Sequence, residues 1–101
     1  MKRKNTRKHI NYLPEGSAVE ITCKFRCIIK KYDTYDYVEV RVSELRTFEE
    51  TKKWKGSLVI RGKDLSNKIF RDEEYKIIGK KVNSKYGATV VVLNIKKLDK
   101  G

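Results

Sequence analysis

Apolar and polar residues alternate along much of the chain with a period of two, which is the pattern of half-buried β-strands. In the first stretch, 19–29, the odd positions are all apolar. In a second stretch, 38–43, valines alternate with polar residues. The polar segment 31–34 between them contains the turn-forming residues Asp33 and Thr34. The sequence therefore predicts two strands joined by a hairpin loop.

Three further strands are predicted downstream. "GSLVIRG", Gly56–Gly62, is bounded by glycines, "YKIIGKKV", 75–82, is interrupted by Gly79, and "ATVVVLNIKKL", 88–98, follows the turn "NSKYG". A glycine inside a strand indicates a bulge or bend. "TFEETKKWK" has no strand period and is predicted to form one or two helical turns or an irregular loop. Five strands leave exposed edges unless the sheet closes, so we predict an all-β barrel with at most short helical turns.

The chain has 101 residues, which fits one domain. It lacks an apolar run of about 18 residues, so no membrane span is expected. Its basic start is not followed by the apolar segment of a secretory signal, so we expect a cytoplasmic protein. We divide the chain into a basic N-terminal arm, 1–16, a barrel, 17–98, and a C-terminal tail, 99–101.

The formal net charge is +12, from 25 basic and 13 acidic residues. Such an excess is repulsive in a compact chain and indicates a polyanionic partner. Nucleic acid is the first candidate, an anionic membrane surface the second, and a merely lysine-rich soluble protein the alternative. The expected partner is single-stranded DNA or RNA, with a protein partner or homo-oligomer as a further option and no membrane.

Residue types that carry catalysis or bind metals are sparse. Cys23 and Cys27 lie four strand steps apart, about 13 Å, too far for a disulfide, which needs Cα atoms within about 7 Å. The two cysteines and His9, which lies in the basic arm, do not supply the four ligands of a zinc site. We therefore expect two buried thiols and neither metal nor cofactor. "IRGKDLS" lacks the upstream glycine of a phosphate-binding loop. We predict no enzyme; a nuclease built from scattered Asp and Glu is the remaining catalytic alternative.

Strand order and spacing resemble the OB-fold, the oligonucleotide/oligosaccharide-binding domain, over about residues 17–98. The resemblance is carried by "GSLVIRG", the connector "KDLSNKIF" and the closing hairpin "EYKIIGKKVNSKYGATVVVLNI". The connector is too short for the helix that usually caps such a barrel. The resemblance implies a five-stranded, closed or partly open Greek-key barrel. It also implies a ligand across the second and third strands, flanked by the first and last hairpin loops.

Strand parity indicates which side chains lie on that outer surface. If the valines of 38–43 point inward, Tyr35, Tyr37 and Arg41 point outward. The same argument places Lys24, Arg26, Ile28 and Lys30 outside on the first strand, and Ser57, Val59 and Arg61 outside on the third. Phe25, Phe70 and Tyr75 are assigned to the core, and Leu65 and Ile69 are expected to cover an apolar surface with Phe70.

Aromatic rings interleaved with cations are what single-strand binding requires, because rings stack bases and cations contact phosphates. The candidate nucleic-acid-binding residues are Lys24, Arg26, Lys31, Tyr32, Tyr35, Tyr37, Arg41, Trp54, Arg61, Lys85 and Tyr86. Trp54 fits a stacking ring on a loop and a cap on the core equally well. Tyrosines also occur in strands for packing reasons alone.

The functional prediction is therefore non-catalytic binding of single strands with low sequence specificity, DNA slightly favoured over RNA. The alternatives are a protein-interaction subunit of a nucleic-acid-processing complex, with Ile28 and Val59 at its interface, and a structured-RNA binder.

Overall fold

A computed structural model describes residues 13–47, 51–52 and 55–98, with only the backbone of 51–52. The strands are β1 (Ala18–Lys31), β2 (Asp36–Thr47), β3 (Thr51–Lys52), β4 (Gly56–Gly62), β5 (Glu74–Ser84) and β6 (Gly87–Leu98). A single 3₁₀ turn, Leu65–Asn67, lies between β4 and β5. Within these ranges no helix is long and apolar enough to cross a membrane.

Five of the strands close into a barrel, which confirms the predicted fold class. Neighbours follow the order β1, β5, β6, β4, β2, and β2 pairs again with β1 to close the ring. All these pairings are antiparallel except that of β4 with β6, which is parallel. The two-residue β3 adds to the end of β2, in a segment that the sequence pattern did not assign to a strand.

The barrel interior is filled by the apolar residues that strand parity selects. Valines and isoleucines of β1, β2, β4, β5 and β6 are fully or almost fully buried in one cluster. The connector after β4 contributes Leu65 and Ile69, as predicted, and Tyr75 is also part of the core. Phe25 packs against this cluster while remaining partly exposed. Phe70 contradicts its assignment, because its side chain is 60% exposed on the connector.

Gly79 allows β5 and β6 to approach each other more closely than any side chain would permit. A Cβ at this position would overlap the carbonyl oxygen of Val91 and would lie 2.6 Å from Cγ1 of Val90. The register of the β5–β6 pair shifts at the same point, between Ile78 and Gly79. The irregularity predicted at Gly79 is therefore confirmed, with the extra residue, Leu93, on the partner strand β6. A bulge of this kind increases the local twist that closes a small barrel.

Two bulges in β1 change which of its side chains face outward. The register passes from Phe25 directly to Cys27 and from Ile28 directly to Lys30, so each step inserts one extra residue. Because directly opposed residues share a face, Cys27 lies on the outer side with its partner Glu39. One expectation is therefore wrong, because Cys27 is exposed rather than buried. Ile28 lies opposite the core residue Val38 in the register, but it is 41% exposed, as expected from its predicted outward position.

Buried polar side chains attach the loops to the barrel. Asp36, 4% exposed, accepts a hydrogen bond of 2.8 Å from the backbone N–H of Ser66 in the connector. Lys81, also 4% exposed, donates from Nζ to the carbonyl oxygen of Leu13 at 3.0 Å. Each group thus has the partner that a buried polar atom requires. These two hydrogen bonds therefore hold the connector and the segment before β1 against the barrel.

Candidate functional site

The outer surface of β1, β2 and β4, called the front face below, carries three rows of directly opposed residues. From the hairpin end they are Lys30, Tyr37 and Arg61; Cys27, Glu39 and Val59; and Lys24, Arg41 and Ser57. The pairing of β2 with β4 runs without a register shift, so the predicted outward parity of Arg41, Val59 and Arg61 is confirmed. Residues two apart along a strand are separated by about 6.6 Å, so the outer rows lie about 13 Å apart.

Four tyrosines pack together at the hairpin end and form what we call the tyrosine cluster: Tyr32, Tyr35, Tyr37 and Tyr86. Tyr32 and Tyr35 flank the turn Asp33–Thr34, closed by a 2.8 Å hydrogen bond from the N–H of Tyr32 to the carbonyl oxygen of Tyr35. Their ring centroids are 5.1 Å apart. The edge-to-face geometries within the cluster are favourable for aromatic pairs. The cluster therefore joins the β1–β2 loop to the β5–β6 loop.

Tyr37 lies at the centre of this cluster and is buried on the outer side of the barrel. Its ring centroid is 5.9 Å from that of Tyr32, 5.6 Å from that of Tyr35 and 4.9 Å from that of Tyr86. It does not belong to the interior cluster, so its outward parity is as expected, yet it is only 7% exposed. The prediction of an open stacking surface is therefore wrong for Tyr37. Its ring instead packs against the rings of Tyr32, Tyr35 and Tyr86, which we call the three outer rings.

Each of the outer rings carries a cation. Lys30 Nζ lies 5.8 Å from the ring centroid of Tyr32, and Lys85 Nζ lies 5.5 Å from that of Tyr86. The guanidinium carbon of Arg61 lies 5.3 Å from the centroid of Tyr35. A hydrogen bond with Tyr32, followed by electrostatic attraction to the phenol groups of Tyr32 and Tyr86, raises the pKa of Lys85. These cations lie beside the rings, where phosphates next to stacked bases would pass.

The middle row is less basic than the rows on either side. Cys27 donates from Sγ to Oε1 of Glu39 at 3.5 Å. Desolvation raises the pKa of the Cys27 thiol, and the hydrogen bond and negative charge of Glu39 raise it further. The third member, Val59, is half-buried. This row therefore holds a neutral thiol, one carboxylate and an apolar side chain between two cationic rows.

The third row carries the predicted cations Lys24 and Arg41, which are cross-strand partners and exposed. Lys24 is also paired with Glu74 of β5, so the row continues across four strands. Ser43 is the extra residue of a bulge in β2, because Thr22 pairs with Glu44 and Cys23 with Val42. Bulges often redirect side chains beside functional sites.

The remaining predicted residues are less closely grouped. Arg26 is exposed at a β1 bulge and has no opposite residue in the β1–β2 register. Lys31 is exposed at the end of β1, where it pairs with Asp36. Trp54 and the basic arm through residue 12 lie outside the described residues. Strand parity predicts Lys30 on the outer surface, where the structure places it opposite Tyr37, although it is not among the candidate binding residues. Lys55 lies outside the predicted site, and only the lysines before "GSLVIRG" pointed to it.

Within the described part of the chain, no group of three or more His, Cys, Asp or Glu side chains could hold a metal ion. Both cysteines are free thiols, Cys23 buried and Cys27 exposed. Burial, with a smaller contribution from the charge of Glu74, raises the pKa of Cys23 to about 12. A thiol with that pKa stays protonated at neutral pH and is a poor nucleophile.

The strand order, with its parallel β4–β6 pair, is that of an OB-type five-stranded barrel. No protein-family model matches the chain, and no curated protein matches it in sequence. Among solved structures it is similar to the protein priB from Ralstonia solanacearum, with a TM-score of 0.53 and 9% sequence identity. That likeness covers 81% of this chain and 98% of priB. At this identity the likeness concerns the fold alone.

Proposed function

We propose that the protein binds single-stranded nucleic acid across its front face, without catalysis and with low sequence specificity. The observation that carries this proposal is the tyrosine cluster, in which three outer rings each have a cation within 6 Å of the ring centroid. A base stacked on such a ring contributes about 1–3 kcal/mol, and every base has a face that can stack. The net charge of +12 supplies long-range attraction to phosphates.

The proposed strand runs from the tyrosine cluster over the middle row to the row that contains Lys24 and Arg41. Tyr32, Tyr35 and Tyr86 stack bases, and Tyr37 supports them from below. Lys24, Arg41, Arg61 and Lys85 contact phosphates, while Arg26 and Lys31 lie beside the path. We favour DNA slightly over RNA, and the N-terminal arm extends the contact with phosphates.

The test is a fluorescence anisotropy titration with labelled single-stranded DNA, single-stranded RNA, duplex DNA and folded RNA. We expect the single strands to bind most tightly and the affinity to fall steeply with salt. Preference for duplex or folded RNA would contradict the single-strand proposal, and folded RNA would favour the structured-RNA alternative.

A pair of charge-reversal variants shows whether the front face is the binding surface. Lys24→Glu with Arg41→Glu should weaken binding strongly. Lys80→Glu with Lys96→Glu makes the same change in net charge at exposed positions of β5 and β6 and should weaken it much less. Equal losses of affinity in the two double variants would mean that only the overall charge matters. The front face would then be ruled out as the binding surface. Circular dichroism verifies that both variants fold.

A second candidate function, binding of a protein partner or a second copy, is favoured by exposed apolar side chains on the β5–β6 pair. Ile78 is 41% exposed and Leu93 62% exposed. Leu93 falls at the bulge beside Ile78, so the two are close in the sheet. Size-exclusion chromatography with light scattering tests this candidate: Leu93→Glu should abolish any oligomer. A monomer that also captures no partner would argue against it.

A further inference from the structure

The end of the front face opposite the tyrosine cluster opens into a cavity of about 420 Å³. Ligand pockets in proteins have volumes of about 300–1,000 Å³, so this space can hold one nucleotide-sized group. It is bordered by four strands and the segment before β4. The polar residues that line it are Lys24, Arg41, Lys55, Ser43, Ser57 and Glu74.

The charge of this cavity differs from that of the tyrosine cluster. Three cations, Lys24, Arg41 and Lys55, face one carboxylate, Glu74, which leaves an excess of two positive charges. None of the three cations has an ion-pair partner in the parts of the chain that the structure describes. At the tyrosine cluster, by contrast, the cations lie over aromatic rings. The cavity therefore presents uncompensated positive charge.

Two serine hydroxyls add to the polar lining in different ways. Ser43 Oγ already donates to the carbonyl oxygen of Thr22 at 3.3 Å, so it presents mainly its lone pairs to the cavity. Ser57 is exposed at the start of β4, directly opposite Arg41. Its hydroxyl can donate to a phosphate oxygen beside the guanidinium.

The excess charge of two favours one class of ligand. An internal phosphodiester carries one negative charge, whereas a phosphate monoester carries about −1.5 to −2 at neutral pH and has three acceptor oxygens. In a nucleic-acid strand, a monoester occurs only at a phosphorylated end. We propose that this cavity binds the terminal phosphate of a single strand whose remaining nucleotides lie along the front face. The inference rests on the proposed function, and it adds recognition of a strand end.

The experiment compares one oligonucleotide of about eight nucleotides in three forms: 5′-phosphorylated, 3′-phosphorylated, and with hydroxyls at both ends. That length lies within the usual range of sites on OB-folds. One phosphorylated form should bind about tenfold more tightly than the hydroxyl form, as expected for added charge-assisted hydrogen bonds. Lys55→Ala should remove this preference. Tyr35→Ala should weaken all three forms and leave their ratio unchanged.

The outcomes separate this inference from the proposed function. If the three forms bind with equal affinity, the end-recognition inference is overturned and single-strand binding stands. If no single strand binds at all, both are overturned. A free nucleoside monophosphate that binds as tightly as the phosphorylated oligonucleotide would reassign the cavity to a mononucleotide and overturn the strand-end assignment.

Discussion

At the hairpin end of the front face, four tyrosine rings pack against one another, whereas at the opposite end Lys24 and Arg41 line an open cavity. Both ends lie on the same three strands, about 13 Å apart. The tyrosine end joins two loops through buried aromatic area, so it should contribute to folding as well as to the proposed binding. The cationic end is exposed, so its residues can be changed with little effect on stability.

This difference matters because stacking and phosphate contacts respond differently to salt. Contacts with phosphates release counterions and weaken as salt rises, while the stacking contribution to the free energy of binding has little such dependence. Substitutions at the two ends should therefore be distinguishable in solution, by the free energy of unfolding and by the slope of log affinity against log salt.

The largest effect is expected at the centre of the tyrosine cluster. Tyr37→Ala removes a buried ring that contacts three others, so the free energy of unfolding should fall by about 3 kcal/mol. Urea denaturation measures this value. Tyr37→Phe keeps the ring and should change it by less than about 1 kcal/mol. An alanine variant as stable as the parent would show that the cluster does not support the fold.

A smaller effect, on binding, is expected for an outer ring. Tyr35 is half-buried under Arg61, and Tyr35→Ala should weaken single-strand binding by about 1–3 kcal/mol, the contribution of one stacked base. Tyr35→Phe keeps the stacking surface and should bind like the parent. The salt slope should stay the same in both variants. A reduced slope in Tyr35→Ala would mean that the ring acts mainly by holding Arg61.

At the cationic end, Arg41→Ala should reduce the magnitude of the salt slope by about 0.7, the value for one phosphate contact with a single strand. Stability should change by no more than about 0.5 kcal/mol because the side chain is exposed. Lys80→Ala on β5 is the matched control and should leave the slope unchanged. If Arg41→Ala and Lys80→Ala give the same slope, Arg41 makes no phosphate contact.

Much of the fold could be predicted because period-two alternation reports directly on burial. Leu58 and Ile60 of β4 lie inside and Arg61 outside, as their parity indicates, and Gly79 marks a real bulge. The site was less predictable. The burial of Tyr37 depends on Tyr86, which is 49 positions later in the sequence and reaches it only when the barrel closes.

Parity also fails where a bulge inserts an unpaired residue, since one extra residue reverses the faces of those that follow until a second extra residue restores them. The β1 bulges are not marked by glycine, so the sequence offered no signal for the outward position of Cys27. Lys55 could not be assigned to the cavity either, because its neighbours there come from four different strands.

The middle row, between the two ends, allows the smallest and most direct test of this reversed parity. Cys27 is exposed and Cys23 is buried, so a thiol-alkylating reagent should modify Cys27 first in the folded protein. The rate should be below that of a free thiol, because desolvation and Glu39 raise the pKa of Cys27 and less thiolate is present at pH 8. Glu39→Gln should accelerate modification, because it removes the hydrogen bond and negative charge that raise the pKa of Cys27. A bound oligonucleotide that spans both ends should protect Cys27, whereas unaltered alkylation at saturating oligonucleotide would place the strand elsewhere on the barrel.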